Sequence, residues 1–478
     1  MRHWWGIAGA ILVTACVATA LAATTLDADL NASDAASTTH CRLRFKLITT
    51  AQAARITFSN VSNFLSARKV ATEGDVKKQR VSLNQLVAGS LVSGTPVSMT
   101  ADYASKPQVA DSPLSCTFDQ LGAGTSTLRV YAVSDSGPRL LQSVTKTTPE
   151  PASFSLDLSN LSDDDVTSCN VPRIAEQRML WAFYYPWYNA PWDSSILLDR
   201  PSIGYYNSSS PSVISYHVNK ALWAGIDGFI SSWWGPGDQT DSNLRLLLDI
   251  ASTKGFKAMI NFETLEDANP RSASTIVNWL SYALSTYGGH PAYMRVDGKP
   301  VIVLWASDTV PAPSWQDIFA KVRARGFDAI YIAMTAGDWP ATDSLETADG
   351  WHYYNILFVI QAADEVPSIL APSYARVRRT VHNYPLLTPA AAPRIWAATA
   401  QPGYDDHLIP GRANPVLDRD NGALYRATLD AAITSNPDWI FLTSWNEWWE
   451  HTHIEPSVNH GNKYLQITRE YAQEWKQQ

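Results

Sequence analysis

The chain has 478 residues, of which 45% are hydrophobic and 17% are charged, and its net charge is −8. The hydrophobic fraction excludes a disordered chain, and the acidic balance argues against a nucleic-acid binder. Four cysteines are too few for a disulfide-dense scaffold. Two of the 19 tryptophans lie near the N-terminus and the rest fall between Trp181 and Trp475. This gap divides the chain into two parts.

Residues 1–22 are typical of an export signal. Arg2 provides a positive start, an apolar run follows, and Ala20-Leu21-Ala22 fits a cleavage site. A membrane anchor is the alternative, but the Ala, Gly and Thr residues of the run drive insertion weakly. Cys16 lies in a lipobox-like context, yet the apolar run continues beyond it, which favours simple cleavage over a lipoprotein. We expect a secreted or periplasmic protein whose mature chain has no membrane span. The mature chain is expected to begin with a flexible segment at 23–39.

Residues 40–158 have the pattern of strands separated by turns. Basic and apolar side chains alternate over 42–47, which is the period-2 pattern of a half-buried strand. We predict a small β-sandwich-like domain, and its lack of Trp favours a structural or docking role over carbohydrate binding. In an oxidising compartment one pair among Cys41, Cys116 and Cys169 would form a disulfide, and three buried thiols are the alternative.

A polar segment at 159–177 is predicted to be a linker, and beyond it apolar runs alternate with amphipathic stretches. Eight such runs within residues 178–478 predict an α/β fold, the (β/α)8 TIM barrel. A doubly wound open sheet is the alternative, but it normally has a Gly-rich turn after its first strand. The candidate strands are 180–185, 228–234, 257–263, 300–305, 329–334, 350–354, 394–400 and 438–445.

Aromatic and polar side chains gather at six of the predicted strand ends. In a barrel, function lies at the C-terminal ends of the strands. Any one of these rings could equally pack the barrel, but six such ends together indicate a carbohydrate cleft, where rings stack on sugars and polar groups bind hydroxyls. The candidate substrate-binding residues are Tyr185, Trp187, Trp233, Trp234, Glu263, Tyr353, Tyr404, Asp405, Asn446, Trp449, His453 and Glu455.

Glu447 and Glu450 follow the last predicted strand and are the candidate catalytic residues. Glycoside hydrolysis usually needs two carboxyl groups, and a turn would let both face the cleft. His451, His453 and Glu455 alternate and could form a facial metal site. A rim position or a substrate contact is favoured, because a third His at a matching spacing is missing. We therefore expect neither a metal nor another cofactor.

Four segments at these strand ends resemble glycoside hydrolase family 99, the endo-α-1,2-mannosidase and mannanase family. The resemblance covers about the C-terminal 300 residues, and the segments keep the order and spacing of the family. They are FYYPWY at 183–188, AGIDGFI at 224–230 with SWWG at 232–235, PGYDD at 402–406, and TSWNEWWE at 443–450 with IEP at 454–456.

The resemblance implies a retaining, endo-acting α-mannoside hydrolase without a metal. Glu447 would deprotonate the sugar 2-hydroxyl, which attacks the anomeric carbon, and Glu450 would act as general acid and then as base. Glu263 would contact the sugar near this hydroxyl, while Tyr404 and Tyr353 would line the cleft. Such a scheme requires Glu450 to be protonated while Glu447 is ionised.

Three positions depart from the family pattern. Asn261 stands where the family usually has the His of H-x-E, residues 451–453 read HTH instead of GTQ, and Trp449 replaces a frequent His. The carboxylates therefore indicate the reaction class more firmly than the pattern indicates mannose, and another α-linked sugar with a 2-hydroxyl is an alternative.

Two other functions stay open at this level. One is a glycosyltransferase-associated barrel of polysaccharide assembly, and the other is a non-catalytic glycan-binding protein. We expect a monomer whose partner is a polysaccharide or oligosaccharide substrate.

Overall fold

The computed structural model describes residues 38–59, 64–90, 94–105, 114–134, 137–156, 161, 166–169, 178–334, 347–386 and 394–477. The predicted signal at 1–22 with Cys16, most of the segment 23–39 and most of the linker 159–177 lie outside these ranges. None of the helices in the described ranges combines the length and the apolar character needed to cross a bilayer.

The N-terminal part is all-β, as predicted, and consists of two antiparallel sheets. Its strands are β1 (Thr38–Thr49), β2 (Ala53–Phe58), β3 (Phe64–Glu73), β4 (Lys78–Ser82), β5 (Gln85–Gly89), β6 (Val97–Ser105), β7 (Leu114–Leu121), β8 (Ser126–Ser134), β9 (Gly137–Lys146), β10 (Ala152–Leu156) and β11 (Val166–Cys169). One sheet has the order β3-β6-β1-β8-β9, with β11 also paired to β1, and the other has the order β10-β7-β2-β5-β4.

The two sheets share one hydrophobic core, which is the arrangement of a β-sandwich. Leu43 and Phe45 of β1 are fully buried in it, while Arg44, which lies between them, bonds Asp102 on the other face. The alternation read from the sequence is therefore confirmed. Cys41 and Cys116 are also buried.

Part of the segment predicted to be a linker belongs to the β-domain. β11 lies within residues 159–177 and pairs with β1, so that Cys169 is opposite Thr38. A four-residue strand is too short to show a period in the sequence. The predicted disulfide stays a prediction.

The C-terminal part is a closed barrel of eight parallel strands, which confirms the predicted barrel and excludes the open sheet. The strands in this part are β12 (Met179–Tyr184), β13 (Gly228–Trp233), β14 (Lys257–Glu263), β15 (Leu265–Glu266), β16 (Asn269–Pro270), β17 (Arg295–Val296), β18 (Lys299–Trp305), β19 (Ile330–Met334), β20 (Gly350–His352), β21 (Ile395–Ala400) and β22 (Trp439–Leu442). The barrel order is β14-β13-β12-β22-β21-β20-β19-β18, and pairing of β14 with β18 closes it.

Helices surround the barrel strands. They are α1 (Pro211–Trp223), α2 (Gln239–Ser252), α3 (Ala273–Thr286), α4 (Ala312–Ala324), α5 (Ala371–His382), α6 (Ala423–Thr434) and α7 (Lys463–Gln477). Local signals set several helix starts. Asp238 caps α2 by accepting from the Thr240 N–H, Ser272 caps α3 in the same way, and Pro211 opens α1.

Eight of the 17 tryptophans between Trp181 and Trp475 are fully buried in the C-terminal part. They are less than 2% exposed: Trp181, Trp233, Trp351, Trp396, Trp439, Trp445, Trp448 and Trp475. Only the tryptophans outside this set have side-chain surface that a ligand can contact.

The β-domain contacts the barrel through β3. This strand packs against α5 and against the adjoining helical turn Tyr384–Leu386. Ser66 of β3 is fully buried, and its hydroxyl donates to the Thr380 carbonyl of α5 at 3.1 Å. The structural or docking role of the domain stays a prediction.

Candidate active site

The loop after β22 carries both predicted catalytic carboxylates on one turn. β22 ends at Leu442, and the Glu447 N–H then donates to Ser444 Oγ at 2.8 Å. The Ser444 hydroxyl also bonds the Thr452 hydroxyl at 2.8 Å, which closes the loop on itself. Glu447 and Glu450 therefore lie on a turn at the C-terminal face of the barrel and not on an extended strand.

Burial raises the pKa of both carboxyl groups. At Glu447, which is 3% exposed, the neighbouring charge of Glu450 adds to this rise and that of Arg412 opposes it. At Glu450, Arg412 opposes the rise both through its charge and through a hydrogen bond at 3.1 Å. These contacts favour the proton on Glu447, whereas the resemblance predicts it on Glu450 at the start of the reaction.

Arg412 and Asn414 were not foreseen from the sequence, whereas Tyr404 was a predicted site residue and Asp406 lies in the PGYDD segment. The Arg412 guanidinium bonds Asp406 at 3.3 Å as well as Glu450. Asp406 in turn accepts from the Tyr404 hydroxyl at 2.7 Å and from Asn414 at 2.8 Å. The second carboxyl oxygen of Glu450, Oε2, is buried and accepts no hydrogen bond from any described residue. This oxygen is the one that remains available to a ligand.

Glu263 is a third buried carboxyl, at the end of β14. Ser232 Oγ donates to it at 2.6 Å and Asn261 Nδ2 at 3.1 Å, while Trp234 Nε1 donates to Ser232 Oγ at 3.2 Å. Burial raises the pKa of Glu263 to about 7, although these bonds and the charge of Arg271 oppose the rise. At mildly acidic pH the group is therefore neutral and can donate a hydrogen bond.

Two tyrosine hydroxyls meet close to the carboxylates. Tyr185 and Tyr354 are hydrogen bonded to each other, and burial raises the pKa of both well above the ordinary value, with the charges of Glu447 and Glu450 contributing. Tyr185 was a predicted site residue. Tyr354 was missed, although its place beside Tyr353 in the sequence was the available signal.

Tyr353 lies on the opposite side of the strand from the cleft. Its side chain is fully buried and packs against Trp351, Trp396 and Tyr374. This placement does not favour the predicted contact with a sugar, and it gives that position to Tyr354.

Trp187 and Trp449 form a stacked pair of indole rings beside the carboxylate turn. Their centroids are 5.7 Å apart and the planes differ by 12°. Both rings are only half-buried, and the backbone N–H of Trp449 donates to Glu447 Oε1 at 3.2 Å. The indole pair next to Glu447 offers a flat apolar surface for a sugar ring.

Comparison with known proteins agrees with this geometry. The model of glycosyl hydrolase family 99 matches residues 193–475, which is more than half of the chain. The chain belongs to glycosyl hydrolase family 99. It is therefore a glycoside hydrolase, and the two other functions left open by the sequence are not favoured.

Family 99 relatives match a large share of the chain. The glycoprotein endo-alpha-1,2-mannosidase of Rattus norvegicus is 24% identical over 362 residues, which is 62% of this chain and 75% of the relative. That of Xenopus laevis is 24% identical over 360 residues, 62% of this chain and 77% of the relative. The solved family 99 endo-alpha-mannosidase of Bacteroides thetaiotaomicron, bound to BIS-TRIS-propane, is 26% identical with a TM-score of 0.53, and the match covers 63% of this chain and 97% of that chain.

Glu455 of this family 99 hydrolase lies against the turn that carries Glu447 and Glu450. It is 2% exposed, and it accepts from Tyr206 at 2.9 Å and from Trp448 Nε1 at 3.1 Å. His217 Nε2 is 3.0 Å from its other oxygen. Because protein groups bind both oxygens, Glu455 anchors the loop, and this placement does not favour the predicted contact with substrate.

Two other predicted contacts also hold the loop. Asn446 binds the backbone of Tyr185 with both ends of its amide, at 2.7 Å and 3.0 Å, so it joins the last strand end to the first. His453 is fully buried and stacks on Trp448 with centroids 3.8 Å apart. Arg419 donates to the carbonyls of His451 and His453, which pins the same segment.

The remaining predicted residues separate into rim and core. Asp405 lies at the rim, where its side chain contacts His407 and its N–H donates to the Glu450 carbonyl at 2.9 Å. Trp233 is fully buried and donates to Asp241 at 2.9 Å, so it belongs to the packing of the barrel.

Metal-ligating side chains do not converge in the described part of the chain. No three His, Cys, Asp or Glu residues within it are arranged to hold a metal ion. The expected independence of a metal stays a prediction.

Proposed function

We propose that the chain is a retaining, endo-acting hydrolase of α-mannosyl glycans that works through the 2-hydroxyl of its substrate. The observation that carries this proposal is the turn on which Glu447 and Glu450 lie together, Glu447 buried, Glu450 partly buried with its Oε2 enclosed, and both with raised pKa values. Two carboxyl groups of like charge in one buried site readily share a single proton. The family 99 relatives named above are mannosidases, which supports the substrate class.

In the first step, the Glu447 carboxylate takes the proton of the 2-hydroxyl, and the resulting oxygen attacks the anomeric carbon. The glycosidic bond breaks, and Glu450 gives its proton to the leaving oxygen. The products are a 1,2-anhydro sugar and a shortened glycan. Two successive displacements at one carbon retain the anomeric configuration.

In the second step, water gives a proton to Glu450 and attacks the anomeric carbon. The bond from that carbon to the 2-oxygen breaks, and Glu447 returns its proton to the oxygen. Both carboxyl groups are then in their starting states. No other acid, base or metal is required.

Binding of the sugar is proposed to use the surfaces around this pair. The stacked Trp187 and Trp449 would lie against the apolar face of one sugar ring. Neutral Glu263 and the tyrosine pair Tyr185–Tyr354 would bind hydroxyl groups. Export and a monomeric state, both predicted from the sequence, stay predictions.

The test compares the mature chain with Glu447→Gln and Glu450→Gln on α-1,2-mannan oligosaccharides. Each variant should lose about 10³-fold in kcat, because each removes one proton-transfer group. The control is Glu470→Gln, since Glu470 is exposed and its ion-pair partner among the described residues is Arg426 on the surface. NMR of the first product should show retained configuration.

Inversion of the anomeric centre would overturn the mechanism even if hydrolysis occurs. Full activity of either Gln variant would overturn the assignment of the pair. Hydrolysis of another α-linked glycan in place of mannan would overturn the assignment of mannose as the sugar and leave the reaction class intact.

A further inference from the structure

Arg412 contacts one of the two catalytic carboxylates and not the other. It lies between β21 and α6, and its Nη1 is 3.1 Å from Glu450 Oε1. Its only other carboxylate partner among the described residues is Asp406, at 3.3 Å. Its side chain is 16% exposed, so water screens this cation little.

We infer that Arg412 is a positioning residue that stabilises the negative charge appearing on Glu450 when this carboxyl gives its proton to the leaving oxygen. This inference rests on the proposed function. It goes beyond that function because it assigns the driving force of the first step to Arg412, which lies outside the turn of Glu447 and Glu450.

In the first step, one proton leaves Glu450 and another arrives at Glu447. In the bound complex the sugar 2-hydroxyl donates to Glu447 and the glycosidic oxygen accepts from Glu450, so before the step Glu450 carries the proton and Glu447 is ionised. This is the reverse of the arrangement that the contacts favour without substrate. After the step, Glu447 carries a proton and Glu450 is ionised. The total charge of the pair does not change, and only its position moves. The energy of the step therefore depends on which carboxylate the surroundings stabilise better.

The surroundings favour charge on Glu450. A guanidinium binds this residue directly, whereas Glu447 accepts one backbone N–H, from Trp449 at 3.2 Å, and lies near the other carboxylates. An interaction that is stronger in the transition state than in the ground state accelerates a reaction. The contact of Arg412 with Glu450 strengthens as the proton leaves, so it has this property.

The surrounding contacts hold Arg412 in place. Asp406 accepts from Arg412 and is itself fixed by Tyr404 and Asn414. Because Arg412 occupies Oε1 of Glu450, the proton for the leaving oxygen is carried by Oε2, which accepts no hydrogen bond within the described chain. The arginine thereby also selects the oxygen that meets the substrate.

Several titratable groups face Glu450 from the elements around it. They are Arg412, Asp406 and Tyr404 from the segment after β21, Glu447 on the same turn, Tyr185 after β12 and Tyr354 after β20. The charge of Arg412 lowers the pKa of both catalytic carboxyls, and the charge of Asp406 raises that of Glu450. Loss of Arg412 should therefore move the pH optimum up, and loss of the Asp406 charge should move it down.

The experiment measures kcat, which starts from the bound complex, against pH for Arg412→Gln, Arg412→Lys and Asp406→Asn. Two substrates are used: an α-mannan oligosaccharide and the α-fluoride of the same glycan, whose leaving group needs no proton. Arg412→Gln should lose about 10²-fold on the glycan and little on the fluoride, with a higher pH optimum. Arg412→Lys should recover part of the loss, because it keeps the charge without the planar fork. Asp406→Asn should lower the optimum.

The control is Arg426→Gln, which removes another arginine–glutamate pair that lies on the surface. Equal losses of Arg412→Gln on both substrates, with an unchanged pH optimum, would overturn the inference and leave only a structural role. A wild-type chain inactive on α-glycans, or an active Glu450→Gln, would instead overturn the proposed function. The two failures are thus distinguishable.

Discussion

At the scale of single residues, burial decides the chemistry of the site. Glu263, Glu447 and Glu450 have raised pKa values, and burial is the largest cause for each of them. An exposed Glu ionises near pH 4.3 and could not hold a proton at neutral pH. Carboxyl groups that exchange protons with a substrate near neutral pH need such a buried environment.

Glu263 should make the stability of the chain depend on pH. Its pKa is about 7 when folded, so between about pH 4.5 and 7 the folded state holds a proton that the unfolded state has lost. The free energy of unfolding should therefore fall as pH rises through this range, by about 3 kcal/mol. Glu263→Gln has no such proton, and its urea-unfolding midpoint should change less between pH 5 and pH 8.

Comparison of the two chains at the same two pH values isolates Glu263, because the other carboxyls are common to both. At pH 8 the Gln variant should be the more stable of the two. Parallel changes of the two midpoints with pH would show that Glu263 is ionised throughout.

At the scale of elements, the alternation of side chains along β20 continues past its end and decides which one reaches the cleft. Tyr353 and Tyr354 follow β20 directly, and Tyr353 packs on Trp351 while Tyr354 packs on Phe183 of β12, so the two point to opposite sides. A barrel strand is buried on its inner face and on its helix-facing side, and its apolar sequence does not distinguish the two. The structure places Tyr353 against α5 and Tyr354 beside Glu447 and Glu450.

Tyr354→Phe and Tyr353→Phe form a matched pair that tests this orientation. Removal of the Tyr354 hydroxyl takes away the partner of Tyr185 and should lower kcat/KM about tenfold, the effect of one hydrogen bond. Tyr353→Phe removes a hydroxyl that lies 3.4 Å from Ser373 of α5, away from the carboxylates, and should leave kcat/KM unchanged. The reverse order of effects in a steady-state assay would contradict the orientation.

The loop after β22 shows a second limit of reading elements from sequence. In the sequence, polar residues near a strand end look the same whether their side chains face a ligand or hold a loop in place. Glu455 bonds Trp448 in its own loop. It also bonds Tyr206 and His217, which lie more than 200 positions earlier in the sequence. Only the closed barrel brings these groups together.

At the scale of the whole molecule, the β-domain and the barrel share a buried contact. Ser66 is fully buried where β3 meets α5. Ser66→Arg would place an unpaired charge in this contact and should lower the free energy of unfolding by about 3 kcal/mol. Ser143→Arg is the control, because Ser143 is an exposed serine of the same sheet. Thermal unfolding checks both variants, and equal melting temperatures would show that the contact contributes little.

The sequence by itself determined the fold and the reaction class. Periodicity located the barrel strands to within a few residues at most ends, and the predicted 257–263 coincides with β14. The residues around Glu447 and Glu450 indicated the family that the comparisons then confirmed. These features could be read because strand and helix periods, and the motifs at strand ends, are local properties of the chain.

Only the tertiary structure decided how the site is assembled. It selected Tyr354 over Tyr353, turned Glu455 and Asn446 into supports of the loop, and brought Arg412 onto Glu450 across 38 positions of sequence. Such contacts join loops from different strands, so they exist only after the barrel has closed. A local pattern reports which side chains are buried, but it does not report which distant group each of them meets.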